Sequence, residues 1–305
     1  MFSRNPTPSL NTANTMNVIN AISNIISLTE TRGAPLRLSS RGVGRYTNAI
    51  NSVGESFEDF IRHSFADSFG LPDEERARRW ASVYSYIGGQ NNPPDLMLRG
   101  GEAVEIKKIE SIGGSIQLNS SMPEQVLKRD NPMLTSECRY SEIWDEKPLL
   151  YVVGTVKQSL LTHISMVYGS EFCSTEANYR ELKDQIANEI ASLDHISLIT
   201  SREIAHVNNI DPLNITSLRV RGMWIIDNPI NIFKYVYTRP ANCDFSLMFL
   251  VSRTQWNSYV NNGQLIDLAN NIDIGVKRLR IEDCVIKDPC NPRRFKDGVL
   301  VTYWK

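Results

Sequence analysis

Two near-continuous apolar runs, at residues 149–156 and 160–168, constrain the fold of this chain more than any other feature. A strand with one solvated face alternates apolar and polar side chains. A strand that is apolar at nearly every position is covered on both faces. With Lys157-Gln158 read as a tight turn between them, the two runs make the centre of a sheet that needs other layers packed against it. Amphipathic helices are legible elsewhere. Residues 16–26 form a short first helix, and residues 48–69 form the strongest, with Ile50, Val53, Phe57, Phe60, Ile61 and Phe65 recurring near the 3.6 period. Residues 72–80 read as an arginine-rich helix, and residues 179–193 as a helix with Leu182, Ile186, Ile190 and Leu193 along one side. Further strands are expected at 83–87, 247–251, 276–281 and 299–303. The fold class that follows is α/β, a mixed β-sheet flanked by helices.

Composition narrows the setting. The chain has 305 residues, enough for one large domain or two small ones, and its 41% hydrophobic and 22% charged content is that of a soluble globular protein. No apolar run reaches the length of a membrane span, and no signal-peptide pattern opens the chain. The five cysteines are scattered without CxxC spacing, which argues against a disulfide framework or zinc site and favours a reducing cytoplasm. The four histidines, His63, His163, His195 and His206, are isolated and make no metal set. A net charge of −1 neither requires nor excludes a nucleic-acid partner, which would need a local basic surface.

The chemistry-bearing stretch runs from Asn92 to Lys108. Asp95 precedes a short apolar strand at 96–98, Arg99-Gly100-Gly101 is turn chemistry, and 103–109 reads as a second strand. Side chains alternate along a strand, so Glu105 and Lys107 share one face while Val104 and Ile106 share the other. If the two strands pair as a hairpin, Asp95 comes to lie beside Glu105, and two carboxylates converge with one ammonium. Paired carboxylates are hard oxygen ligands suited to Mg²⁺, and a neighbouring lysine can position an attacking water. The bland alternative is a solvated strand face, since Glu-x-Lys by itself is weak. The Pro-Asp, the Gly-Gly turn and the apolar flanks each sit where phosphodiester hydrolysis needs them.

Other candidates are second-tier. Glu58 flanks the apolar stripe of the strongest helix and is a further ligand or orienting group if the hairpin is catalytic. Otherwise it is a surface carboxylate. Residues 111–123 read as a flexible loop of small hydrogen-bonding side chains beside the site, a place to touch phosphates or bases. Arg219 and Arg221 alternate with Leu218 and Val220 on an expected strand, and arginine is shaped to grip guanine bidentately. Residues 1–15 read as a disordered arm and residues 29–47 as a basic loop, with Arg32, Arg37, Arg41 and Arg45.

The spacing of Pro-Asp, nine residues, then Glu-x-Lys resembles the PD-(D/E)xK nuclease superfamily. The resemblance becomes specific when blocks are taken in order. Asn92-Pro93-Pro94-Asp95, residues 103–111, Leu118-Asn119-Ser120-Ser121, Met166-Val167-Tyr168-Gly169, and residues 211–216 with 218–224 resemble the NgoPII-type restriction endonucleases. It extends from about residue 16 to the C-terminus, and only the 29–45 stretch looks longer and more basic than the family's opening. The resemblance implies a restriction-endonuclease-like core at about 48–170 within a single domain, 16–305, with DNA-recognition elements at about 111–123 and 205–305. It implies a type II enzyme cutting double-stranded DNA at the palindrome GGCC with Mg²⁺, leaving 5′-phosphate and 3′-hydroxyl ends. On that reading Asp95 and Glu105 hold the metal and Lys107 positions the water; Ile106 is a further metal-holding candidate, and Glu58 stays the second-tier catalytic one. Base-reading candidates are Arg219, Arg221, Asn119, Ser120, Ser121 and Asn214. A palindrome implies a C2 homodimer, and a restriction system implies a partner DNA methyltransferase. The rivals are a repair nuclease indifferent to sequence, a non-catalytic DNA-binding protein, and a protein unrelated to DNA.

Overall fold

In the computed structural model, which describes residues 16–38, 56–89, 92–192, 204–207, 210–213, 215–270 and 278–305, the two apolar runs are adjacent antiparallel strands inside a ten-stranded sheet. The chain opens with α1 (Val18–Arg32), β1 (Leu36–Arg37), α2 (Phe57–Ala66) and α3 (Asp73–Val83). Strands β2 (Tyr84–Ile87), β3 (Leu96–Leu98), β4 (Ala103–Ile109), β5 (Ile116–Asn119) and β6 (Val126–Lys128) follow. After α4 (Ser136–Arg139) come the long strands β7 (Glu146–Lys157) and β8 (Leu160–Tyr168), then α5 (Gly169–Phe172) and α6 (Glu176–Ala191). The remainder is β9 (Ala205–Val207), β10 (Leu218–Val220), β11 (Trp224–Ile226), α7 (Pro229–Ile232), β12 (Ser246–Ser252), α8 (Arg253–Ser258), α9 (Gly263–Asn270), β13 (Leu279–Asp288) and β14 (Asn291–Trp304).

The main sheet runs β13-β14-β12-β8-β7-β4-β3-β2, with β1 on β8 and β6 on β7 off that path. It is mixed: β4 lies parallel to β7 and β12 parallel to β8, while the other pairings are antiparallel. Each central strand divides its apolar side chains between two cores. Leu150 and Val152 of β7 with Ile164, Met166 and Tyr168 of β8 face one core, closed by α1, α2 and the tryptophan of α8. Leu149, Tyr151 and Val153 face the other, with Phe172, Phe233, Tyr237 and the inner side chains of β5. Burial on both faces is why these strands are apolar throughout.

The helix and strand expectations hold with shifted ends. Asn17 caps the start of helix α1, accepting from the Ile19 N–H, and the helix continues through Arg32 to Gly33, whose positive φ (83°) and N–H to the Thr29 carbonyl end it, so the loop expected from residue 29 begins at Gly33. The helix expected over 48–69 is described only from Phe57, where Ser56 caps it; residues 39–55 lie outside the described residues, as does the arm 1–15. The β7–β8 turn is centred one residue later than expected. Gln158 and Ser159, not Lys157, take the positive φ values (50° and 65°) of a two-residue hairpin loop. The 111–123 stretch is not simply a loop: it contains β5, which pairs with β11. Helix α6 forms, but none of its residues is buried and Leu182 stays half exposed.

Candidate active site

The expected hairpin exists. Strands β3 and β4 pair antiparallel with Leu96 opposite Val104 and Met97 opposite Ala103, so the register carried one step outward sets Asp95 against Glu105. The turn uses Gly100 at φ 66°, with the Gly101 N–H donating to the Leu98 carbonyl. Strand β4 separates its faces as its alternation requires. Val104 and Ile106 enter the core under α1 and α2, while Ala103 enters the opposite core and puts Glu105 and Lys107 on its own side.

The three side chains converge. The Lys107 Nζ donates to Glu105 Oε1 at 2.6 Å and stands 4.0 Å from Asp95 Oδ2. Asp95 Oδ2 also accepts the Ile106 backbone N–H at 2.5 Å, which ties the end of β3 to the middle of β4. The Asp95 main chain is fixed too. Its carbonyl accepts the Gly88 N–H at 2.8 Å, and a Cβ on Gly88 would fall 2.2 Å from the Pro94 oxygen, so only glycine admits this approach.

The electrostatics are those of crowded acids. Burial, then the Glu105 charge, push the Asp95 carboxyl well above its usual range; Lys107 and the Ile106 N–H pull against them, and Glu58 adds to the rise. Burial opposes the charge on Lys107, but Glu105 and Asp95 outweigh it and raise its pKa, so the side chain is a committed ammonium. Glu58 sits in the first turn of α2, half exposed and 3.5 Å from Arg62, near enough for its charge to act on both Asp95 and Lys107.

A cation fits this arrangement. Two carboxylates, Glu105 buried and Asp95 partly buried, share one ammonium, and a divalent ion beside them would relieve the repulsion that raises Asp95. Among the described residues no set of three His, Cys, Asp or Glu side chains converges as a metal site. Of the expected metal-holding residues, Asp95 and Glu105 are brought together, and Ile106 donates its N–H to Asp95; two such carboxylates with water completing the shell would suit a divalent cation.

The structure separates the remaining candidates. Asn119 ends β5 at φ 53° opposite Trp224, and Asn119 and Ser120 are exposed while Ser121 is partly covered. The stretch between β4 and β5 is held rather than loose: Asn228 Nδ2 donates to the Ile112 and Gly114 carbonyls (3.2 and 3.3 Å), and Asn231 Nδ2 to Gly113 (3.0 Å). Arg219 lies on β10, whose described pairing is with β9 in a separate two-stranded ribbon, and Arg221 follows that strand; both are exposed. Asn214 and His195 lie outside the described residues. His163 is buried between Ser246 and Ser165, a packing role as expected for the isolated histidines.

Sequence reasoning missed the groups that brace the hairpin. Lys147 of β7 is buried and donates to the Leu98 and Gly101 carbonyls (3.1 and 2.6 Å) while pairing with Glu142 at 2.5 Å. Glu142 in turn accepts the Gly100 N–H at 2.9 Å. On the other side, buried Glu102 accepts the Val18 N–H at 2.9 Å and so joins the turn to the N-terminus of α1. The signal available was a charged residue, Lys147, at the mouth of an apolar run. Glu142 is five residues away, but the two turn carbonyls come from 46 and 49 residues away in sequence, so no local pattern names them.

The NgoPII restriction endonuclease family model matches residues 16–287 of this chain. The chain is 39% identical over 289 residues to the type II restriction enzyme NgoPII of Neisseria gonorrhoeae, covering 94% of this chain and 99% of that protein. No solved structure matches it.

Proposed function

The chain belongs to the NgoPII restriction endonuclease family and is a type II restriction enzyme, and on that premise we propose that it hydrolyses double-stranded DNA at GGCC with Mg²⁺. The observation that carries the catalytic part of this reading is the convergence of Asp95, Glu105 and Lys107 on one hairpin. The GGCC part is supported by the resemblance of the 92–111, 118–121 and 211–224 blocks to NgoPII-type enzymes.

Asp95 and Glu105, with the Ile106 carbonyl, would hold the cation, which when bound would supply positive charge to the phosphate and lower the pKa of the attacking water. Lys107 enters as an ammonium. It donates from Nζ to the attacking water or to a phosphate oxygen, and its raised pKa makes it an orienting donor rather than a base. The water oxygen forms the new bond to phosphorus and gives its proton to solvent. The bond from phosphorus to the 3′ oxygen breaks, leaving 5′-phosphate and, once protonated, 3′-hydroxyl ends. Glu58 acts from the margin, through its charge on Asp95 and Lys107. Arg219, Arg221, Asn119, Ser120, Ser121 and Asn214 are the proposed DNA contacts, and residues 16–305 form one domain. A C2 homodimer presents each contact twice to the palindrome. The enzyme acts in the cytoplasm beside a methyltransferase of the same specificity; no described helix is long and apolar enough to cross a membrane.

Digestion of a sequenced, unmethylated plasmid tests the reading, with EDTA and Asp95→Ala controls. Discrete fragments ending at GGCC, absent in both controls, are the expected result. Discrete fragments ending elsewhere would discard the specificity, and cleavage that survives Asp95→Ala would discard the site.

A further inference from the structure

The segment that carries a fourth carboxylate, Glu124, packs over the sheet face that carries Glu105. In the β4–β7 pairing, Glu105 is in register with Tyr151, and Tyr151 reaches up to the segment after β5. Its hydroxyl oxygen accepts the Glu124 N–H at 2.9 Å, and the hydroxyl donates to the Glu124 carbonyl at 3.3 Å. From the other side Gly169 packs so closely that a Cβ there would lie 2.1 Å from the Glu124 carbonyl oxygen. The backbone at residue 124 is thus pinned between the middle of β7 and the residue that follows β8, and Glu124 Oε1 accepts from Asn131 Nδ2 at 2.6 Å. Among the described residues Glu124 forms no ion pair, because Lys128, the nearby cation, is bonded to Glu176 at 2.9 Å.

We propose that Glu124 is a positioning residue of the catalytic site, an outer carboxylate whose charge, acting beside Glu105, strengthens the hold on the divalent cation. This rests on the reading that Asp95 and Glu105 hold that cation. Glu124 is outside the ligand set, since no described set of three acids converges as a metal site, and it acts through the field at Glu105. Burial, then the charges of Glu105 and Glu176, push its carboxyl up to about 7, with Asn131 and Lys128 opposing. The other titratable groups facing it, Tyr151 and Cys173, are both pushed upward by burial and stay neutral. A carboxylate with a raised folded-state pKa destabilises the fold in full above that pKa, and the loss shrinks as pH falls through it toward the unfolded-state value. Glutamine would keep the Asn131 contact without this cost, so the charge itself calls for an explanation outside folding.

The test is Glu124→Gln in the full chain, with Mg²⁺ affinity measured by calorimetry at pH 8 and pH 6 and thermal unfolding measured without metal. The expected result is a three- to tenfold weaker Mg²⁺ affinity at pH 8, a smaller ratio at pH 6, and a melting temperature at pH 8 no lower than wild type. Unchanged affinity at pH 8, an equal loss at both pH values, or a lowered melting temperature would overturn the inference. Asp95→Asn is run alongside. If it leaves Mg²⁺ binding intact, the parent reading of the site fails; if it abolishes binding while Glu124→Gln does not alter it, only the inference about Glu124 fails.

Discussion

Replacing Lys107 with methionine tests the candidate site most directly, because it keeps the aliphatic stem and removes only the ammonium. Its Nζ is 2.6 Å from Glu105 Oε1 and 4.0 Å from Asp95 Oδ2, so one change withdraws the cation that both carboxylates share. Removing a positioned donor of this kind costs about 10²–10³ in turnover, roughly 3–4 kcal/mol of transition-state stabilisation. Stability responds separately. Breaking a buried pair costs about 3–5 kcal/mol, but Lys107 keeps 23% of its side-chain surface in solvent, so a discounted figure of about 2 kcal/mol is appropriate. The sign with pH follows from Asp95, already raised. Without Lys107 its folded-state pKa rises further above the unfolded value, so the penalty is full at alkaline pH and shrinks as pH falls through that raised pKa. Single-turnover cleavage of a defined duplex, with denaturant unfolding in EDTA at pH 8 and pH 6, measures both effects. Wild-type cleavage by folded, DNA-binding Lys107→Met would refute the catalytic role, and a stability gap equal at the two pH values would refute the electrostatic account.

Gly154→Ala places a Cβ 2.3 Å from the Phe57 ring, so it should push α2 off the sheet and cost about 1–3 kcal/mol in a urea titration. Lys147→Met leaves the partly buried Glu142 without its cation and two turn carbonyls without their donor. A loss of about 3–5 kcal/mol is expected, with partial recovery when Glu142→Gln is added. Arg221→Ala should weaken binding to a GGCC duplex by about 1–3 kcal/mol if Arg221 reads a base. A uniform loss on all duplexes, in a fluorescence anisotropy titration over salt, would instead assign it to phosphate.

Sequence alone determined the elements whose information is local. The apolar runs at 149–156 and 160–168 had to be covered strands, the Gly100-Gly101 turn had to join β3 to β4, and period-2 alternation put Glu105 and Lys107 on one face. Backbone pairing then carries Asp95 to Glu105 over a separation short enough to be read directly. Tertiary structure decided what brings distant segments together. Lys147 under the turn, Glu102 at the start of α1, Asn228 on the 112–114 carbonyls and Glu124 above Tyr151 join residues 27 to 116 positions apart. Their side chains follow no periodicity, because a buried polar group is selected by the partner the fold delivers to it, and that partner is absent from the local pattern. The same reason separates the candidate DNA contacts. Alternation put Arg219 on a strand face, but only the packing showed that this strand belongs to a ribbon apart from the main sheet.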